Sequence, residues 1–231
     1  MAVDPQKIVV QQGRDRNNPG DVLREKPADV GFSAQTPART LGADGFLPTK
    51  FQVAEDQLSR MIVSASLVGS KIVRCVLGSS EDRKPGPLAQ HIDAMVKVLR
   101  NVRSKAQDAN IKIAVENHAG DMQGWQLKGL IEAAGKDFVG ACLDSGNPCW
   151  TLEDPHSTLE QLHPYVLTSH VRDSAVWRTP DGANVSWVRM GEGNVNIDEY
   201  CRKYAALCPG KALSMECIVT PPRAFNYRKP E

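Results

Sequence analysis

Four apolar runs in the sequence close on a residue able to hold a metal ion or move a proton. They are Val115-Glu116-Asn117-His118, Leu143-Asp144-Ser145-Gly146-Asn147, Ser169-His170-Val171-Arg172-Asp173 and Met215-Glu216-Cys217. Glu116, Asp144, His170 and Glu216 together make a hard, mostly oxygen donor set without a thiolate. Such a set suits Mn²⁺ or Mg²⁺ better than Zn²⁺, with Co²⁺ also compatible. One carboxylate at the end of a strand is most often a cap or loop anchor. Four at steps of 28 (116 to 144), 26 (144 to 170) and 46 (170 to 216) residues read instead as one shared metal site. Around them, Asn147 and Arg172 are candidates for holding substrate hydroxyls or a terminal anion, with an Arg172–Asp173 ion pair as the alternative for the arginine. His118 reads either as a substrate donor or as a packed histidine. His91, His156 and His163 fall in helical or loop stretches and read as surface or capping residues.

The elements that position these residues follow from periodicity. Leu58, Met61, Ile62, Ala65 and Val68 keep helical spacing, and Gly69 stops that helix. A strand is predicted over 71–77, a helix over 88–102, a strand over 111–116, a helix ending at Gly135 and a strand over 138–143. Asp154-Pro155 caps a helix reaching Leu162, and a strand follows over 165–171. The last helix covers 198–207, with a strand over 212–219 behind it. Near-continuous apolar strands separated by helices predict a parallel α/β sheet buried on both faces. Neither G-x-G-x-x-G nor a P-loop is present to mark an open nucleotide-binding sheet. A (β/α)₈ TIM-type barrel uses about 31 residues per unit. Two of the three steps are then single units, and the third is a unit with an insertion at 174–193. That insertion carries Trp177, Trp187, Gly191 and Gly193. It reads as a loop closing over the site, with Trp177 or Trp187 stacked on a sugar face and the glycines as hinges, or as a surface hairpin on the barrel rim.

The segments AVENHAGD, GACLDSGNP, TSHVRD, MGEGNVNID and SMECIV occur in this order within 51–219. Together they resemble the sugar phosphate isomerase/epimerase group of xylose-isomerase-like TIM barrels. The resemblance implies a divalent metal on Glu116, Asp144, His170 and Glu216, with Glu116 and Glu216 as the acid/base pair of an isomerase or epimerase. It also implies a small carbohydrate-like substrate, proton transfer through an enediolate, and a homo-oligomer. The well-studied ketose epimerases have His three residues after the metal Asp, where this chain has Asn147. Asparagine can donate to a substrate oxygen but carries no proton, so Asn147 is assigned to substrate contact. A dehydratase or hydrolase on the same barrel, or a non-catalytic truncated barrel, is the alternative. The related endonuclease IV cluster needs extra histidines from early strands, and the five histidines here begin only at His91.

Composition agrees with one soluble, cytoplasmic domain: 231 residues, 41% hydrophobic and 24% charged, with a formal charge of +1. No global field exists to hold a nucleic acid or an anionic membrane surface. Six cysteines without a C-x-x-C pair read as reduced thiols, and no basic start with a long apolar stretch marks a secretory signal. Residues 1–50 read as an irregular N-terminal segment with one short strand candidate at 8–10, residues 51–219 as the barrel portion, and residues 220–231 as a tail anchored by Phe225 and Tyr227. If 71–77 is the fourth strand, 70 residues precede it where three units need about 93. The barrel is therefore expected to be incomplete or irregular at its N-terminal side.

Overall fold

A computed structural model of the chain describes residues 8–10, 48–78, 86–226 and 228. In chain order the first half runs β1 (Ile8–Val10), α1 (Pro48–Leu67), β2 (Ile72–Cys75), α2 (Leu88–Asn101), α3 (Arg103–Asp108), β3 (Lys112–Glu116), α4 (Gly124–Ala134) and β4 (Val139–Asp144). The second half continues through α5 (Pro155–Leu162), β5 (Val166–Val171), β6 (Asp173–Thr179), β7 (Gly182–Val188), α6 (Ile197–Leu207), β8 (Leu213–Met215) and β9 (Arg223–Phe225). The expected irregular stretch over 1–50 lies outside the described residues, apart from β1 and the start of α1.

Six strands form one parallel sheet in the order β2-β3-β4-β5-β8-β1. Four successive strands lie side by side, and the first strand of the chain pairs with β8, Val9 opposite Ser214. A doubly wound sheet reverses from its middle, whereas a barrel returns its first strand to its last. The chain therefore has the TIM-type barrel topology, with β1 and β2 as the two edges of the described sheet. Helices α1, α2, α4, α5 and α6 follow one another around the outside. No helix among the described residues is long and apolar enough to cross a membrane.

Strand alternation sorts the side chains. Val73, Ile113, Val115, Val139, Ala141 and Leu143 meet Ile62, Leu99, Leu127, Leu130, Ile131, Leu159 and Tyr204 in one buried core. Each fully buried Leu or Ile contributes about 1.5–3 kcal/mol, which fixes the register. The residues between them in β2 to β5 are thereby turned to the inner face: Arg74, Glu116, Asp144 and His170. Helix starts are supported locally. Asp154 accepts the His156 N–H at 3.0 Å with Pro155 in the first turn, and Gln123 and Gln126 form a capping box at α4.

One expectation is corrected, and one pair of alternatives is resolved. The strand over 212–219 stops at Met215, and Ile218 and Val219 beyond it are 39% and 71% exposed, so no second face buries them. Of the two forms expected for the insertion, the structure has the hairpin: β6 and β7 pair antiparallel, and β9 from the tail adds a third strand through Ala183 opposite Phe225. Tyr227 lies outside the described residues. Asp173, 1% exposed, anchors the segment that follows the hairpin. It accepts the backbone N–H groups of Ser174, Gly191, Gly193 and Val195 at 2.9, 3.0, 3.0 and 3.2 Å. Gly191 and Gly193 are pinned to this carboxylate, and a Cβ on Gly193 would collide with both Asp173 Oδ1 and, at 2.5 Å, the Ser174 carbonyl.

Removing that acceptor leaves the buried Ser174 and Val195 N–H groups, and the part-buried Gly191 and Gly193 bonds, short of a partner. Asp173→Ala should lower unfolding free energy by about 3 kcal/mol or more, and Asp173→Asn by roughly half as much. Urea denaturation at neutral pH measures both; a loss below about 1 kcal/mol for Ala would show that the loop holds itself in place.

Candidate metal centre

The inner face of the sheet gathers the four predicted donors. Register explains it: Asp144 pairs with His170 across β4 and β5, His170 pairs with Ser214 across β5 and β8, and Glu216 stands two residues after Ser214 on the same side. Donor atoms of Glu116, Asp144, His170 and Glu216 all lie within 4.8 Å of one another. Octahedral coordination at about 2.1 Å sets neighbouring donors about 3 Å apart and opposite ones about 4.2 Å apart, so this spread fits a single hard divalent cation. Glu116 and Asp144 are fully buried, His170 nearly so, and Glu216 keeps 26% of its side chain exposed on the open side.

Two arginines neutralise the carboxylates. Arg172 Nε donates to Asp144 at 2.7 Å and its Nη2 donates to Glu216, while Arg74 Nη1 donates to Glu116. Arg172 and His170 are two residues apart and so share the inner face, whereas Asp173 points the other way. This is why no Arg172–Asp173 ion pair is seen among the described residues. His170 Nδ1 sits 2.9 Å from Glu216 and 3.4 Å from Glu116. Asp144 Oδ1 accepts the Gly146 and Asn147 N–H groups, both at 2.8 Å, and Asn117 bridges its backbone at 2.8 and 3.0 Å.

Of the predicted substrate contacts, Asn147 is in the site. Its Nδ2 donates to Glu116 at 3.3 Å, and its buried Oδ1 has no hydrogen-bond partner among the described residues. An orphaned acceptor beside a carboxylate cluster is what a bound ligand would satisfy. His118 is half-buried in the loop after β3, where its carbonyl accepts the Asp121 N–H. Trp177 is 40% exposed, on the hairpin opposite Asn184. The tryptophan at the site is Trp187: its ring lies 4.7 Å from the Arg172 guanidinium and 4.5 Å from Trp150. Thr220 in the tail accepts the Trp187 N–H and donates its own to the Trp187 carbonyl, fixing the ring from behind.

Two residues went unread in the sequence. Arg74 is a charge inside an otherwise apolar strand, KIVRCVL, and its inward parity was the available signal. Cys142 forms an alternative donor group with Glu116 and His170. Burial pushes its thiol well above the ordinary range, so without a cation it stays protonated.

Residues 32–227 match the family model described as xylose isomerase-like TIM barrel. A curated relative, 3-oxo-isoapionate decarboxylase of Pectobacterium atrosepticum, is 25% identical over 178 residues, which are 76% of this chain and 58% of that protein. Among solved structures, a D-tagatose 3-epimerase-like protein superimposes with a TM-score of 0.64 at 18% identity, over 80% of this chain and 69% of its own. A xylose isomerase-like TIM barrel protein from Mycobacterium smegmatis, solved in complex with magnesium, gives 0.56 at 18% identity over 73% of this chain and 60% of its own. At these identities the structural likeness shows the fold, and the chain spans less than two thirds of the curated relative's length.

Burial pushes the Glu216 carboxyl up, but the His170 hydrogen bond and then the Arg172 charge outweigh it and hold it at about 2. A carboxyl depressed in the folded state stabilises the fold above its ordinary value of 4.5, and that contribution is lost as pH falls from there towards 2. Metal-free wild type should therefore exceed Glu216→Gln in urea stability at about pH 6, and the gap should close on acidification through that window. A gap that does not change with pH would show that Glu216 is not held by its His170 and Arg172 contacts.

Proposed function

The chain belongs to the xylose isomerase-like TIM barrel family, and on that premise we propose that it is a divalent-metal-dependent isomerase or epimerase acting on a small sugar-like keto substrate. The observation that carries this reading is the convergence of Glu116, Asp144, His170 and Glu216 within 4.8 Å on the inner face. The donors favour Mn²⁺ or Mg²⁺ over Zn²⁺. A cation bound there would act as a Lewis acid on the substrate's carbonyl and neighbouring hydroxyl, worth several kcal/mol as charge develops on oxygen.

The residues divide the remaining work. Glu116 and Glu216 rise from strands separated by β4 and β5, so they flank the space above Asp144 and His170. One removes the carbon-bound proton and the other returns it, a role worth about 10²–10⁴-fold. Glu216, on the open side, is the one with access to solvent protons. Asn147 Oδ1 accepts a substrate hydroxyl, and Arg172, backed by Trp187, fixes the Glu216 carboxylate it touches.

The name of the Pectobacterium relative supports a second reading on the same machinery, loss of carbon dioxide from a keto acid. There the acid is a 3-keto acid: the bond from the carboxylate carbon to the carbon beside the carbonyl breaks, its electron pair moves into that carbonyl to give an enolate, and a glutamic acid protonates the carbon.

Mn²⁺ titration by calorimetry, followed by a keto-sugar panel in deuterated water, tests the proposal. Solvent deuterium should appear at one carbon next to the carbonyl, and Glu216→Gln should cut the exchange at least ~10²-fold with the circular dichroism spectrum unchanged. A fully active Glu216→Gln protein would overturn the assignment; carbon dioxide released from a keto acid without deuterium exchange of neutral ketoses would favour the second reading.

A further inference from the structure

We propose that Arg74 reads a carboxylate on the substrate, so that the ligand of this site is a sugar-sized keto acid and not a neutral ketose. This rests on the reading above, in which the carboxylates hold a divalent cation. The argument is one of charge and place. Glu116, Asp144 and Glu216 bring three negative charges, and Arg74 and Arg172 bring two positive ones. A neutral His170 leaves the cluster at −1, and a divalent cation turns it to +1. A buried pocket with excess positive charge is selective for an anion.

Place decides which arginine meets it. Arg172 is locked: its Nε and Nη2 hold two carboxylates, its ring stack on Trp187 fixes the plane, and it is 3% exposed. Among the described residues the Arg74 side chain bonds only through Nη1, to Glu116, and it stands on β2, which forms the edge of the described sheet. A cation taking the Glu116 oxygen withdraws the acceptor from Arg74 and leaves its planar fork facing the coordination site. A carboxylate next to the substrate carbonyl matches that fork bidentately. The distance matters too. Arg74 reaches Glu116, one of the four donors, so the anion it meets must be joined directly to the carbon skeleton beside the chelated carbonyl; a phosphate at the far end of a sugar chain lies out of its reach.

The test compares ligands that differ at a single group. Mn²⁺ is titrated into the protein first, and the loaded protein is then titrated with D-fructose, with 2-keto-D-gluconate, in which a carboxylate replaces the terminal CH₂OH beside the ketone, and with D-fructose 6-phosphate. Wild type should bind 2-keto-D-gluconate at least about tenfold tighter than either of the others. Arg74→Gln should bring the ratio to D-fructose towards one while still taking up Mn²⁺, and Arg74→Lys should recover part of it by keeping the charge and losing the fork. Equal binding of the three ligands by wild type, or a ratio unchanged in Arg74→Gln, would overturn the proposal. So would tighter binding of the 6-phosphate, which places the anion at the far end. Arg74→Gln losing Mn²⁺ and all three ligands alike would show that Arg74 only positions Glu116. A wild-type protein that takes up no Mn²⁺ would refute the preceding reading itself. If Arg74→Gln fails to fold, the wild-type comparison and Arg74→Lys still decide the question.

Discussion

Three carboxylates sharing one buried wall is the constraint around which the rest of this structure is arranged. Anions of this kind cannot sit together away from water unless cations or N–H groups face them, since each uncompensated one costs several kcal/mol. Arg172 answers most of it, bridging Asp144 to Glu216 from a side chain almost wholly buried. Arg74 answers the remainder at Glu116, and the Gly146 and Asn147 N–H groups answer the second oxygen of Asp144. A cluster so compensated can fold before any cation arrives, and it can accept one by releasing the Arg74 contact to Glu116 without rebuilding the backbone.

The supports behind Arg172 show how far that constraint reaches. A Cβ on Gly146 would stand 2.6 Å from Arg172 Cγ and 2.9 Å from Ser174 Oγ, so the loop after β4 must be glycine there for the arginine to pass. Ser145 clamps the Arg172 backbone, accepting its N–H at 2.9 Å and donating to its carbonyl at 2.6 Å. Trp187 covers the guanidinium, Trp150 backs Trp187, and Thr220 ties Trp187 to the tail. The hairpin and β9 are in this sense parts of the site, and Asp173 holds the loop that leads away from them.

Much of this was legible in the sequence because two periodicities carry it. The helix and strand positions from residue 51 onward follow from 3.6 and 2.0 spacing, and the four donors follow from ionisable residues closing apolar strands at unit distance. What escaped has physical reasons. Arg74 was hidden because a lone charge in a strand carries no partner's name; its mate Glu116 lies 42 residues away and is brought beside it only by the β2–β3 register. Trp177 and Trp187 look alike in one dimension, and only the hairpin pairing, with Trp187 opposite Ser174 and Trp177 opposite Asn184, decides which ring reaches the arginine. Gly191 and Gly193 suggested hinges, because a glycine that frees the backbone and one that admits a carboxylate are the same letter.

The place of β2 at the edge of the described sheet gives Arg74 its significance. In a closed barrel every strand is paired on both sides, and an inward arginine would be one buried charge among packed neighbours. On the edge strand of the described sheet its side chain keeps 11% exposure, whereas its partner Glu116 has none. The pair is therefore asymmetric. Glu116, held by Arg74, Asn147 and His170, is fixed on the cluster. The arginine is the member free to exchange one anion for another. An ion pair buried at one end and open at the other is poorly suited to holding a fold together, and well suited to telling a charged ligand from a neutral one.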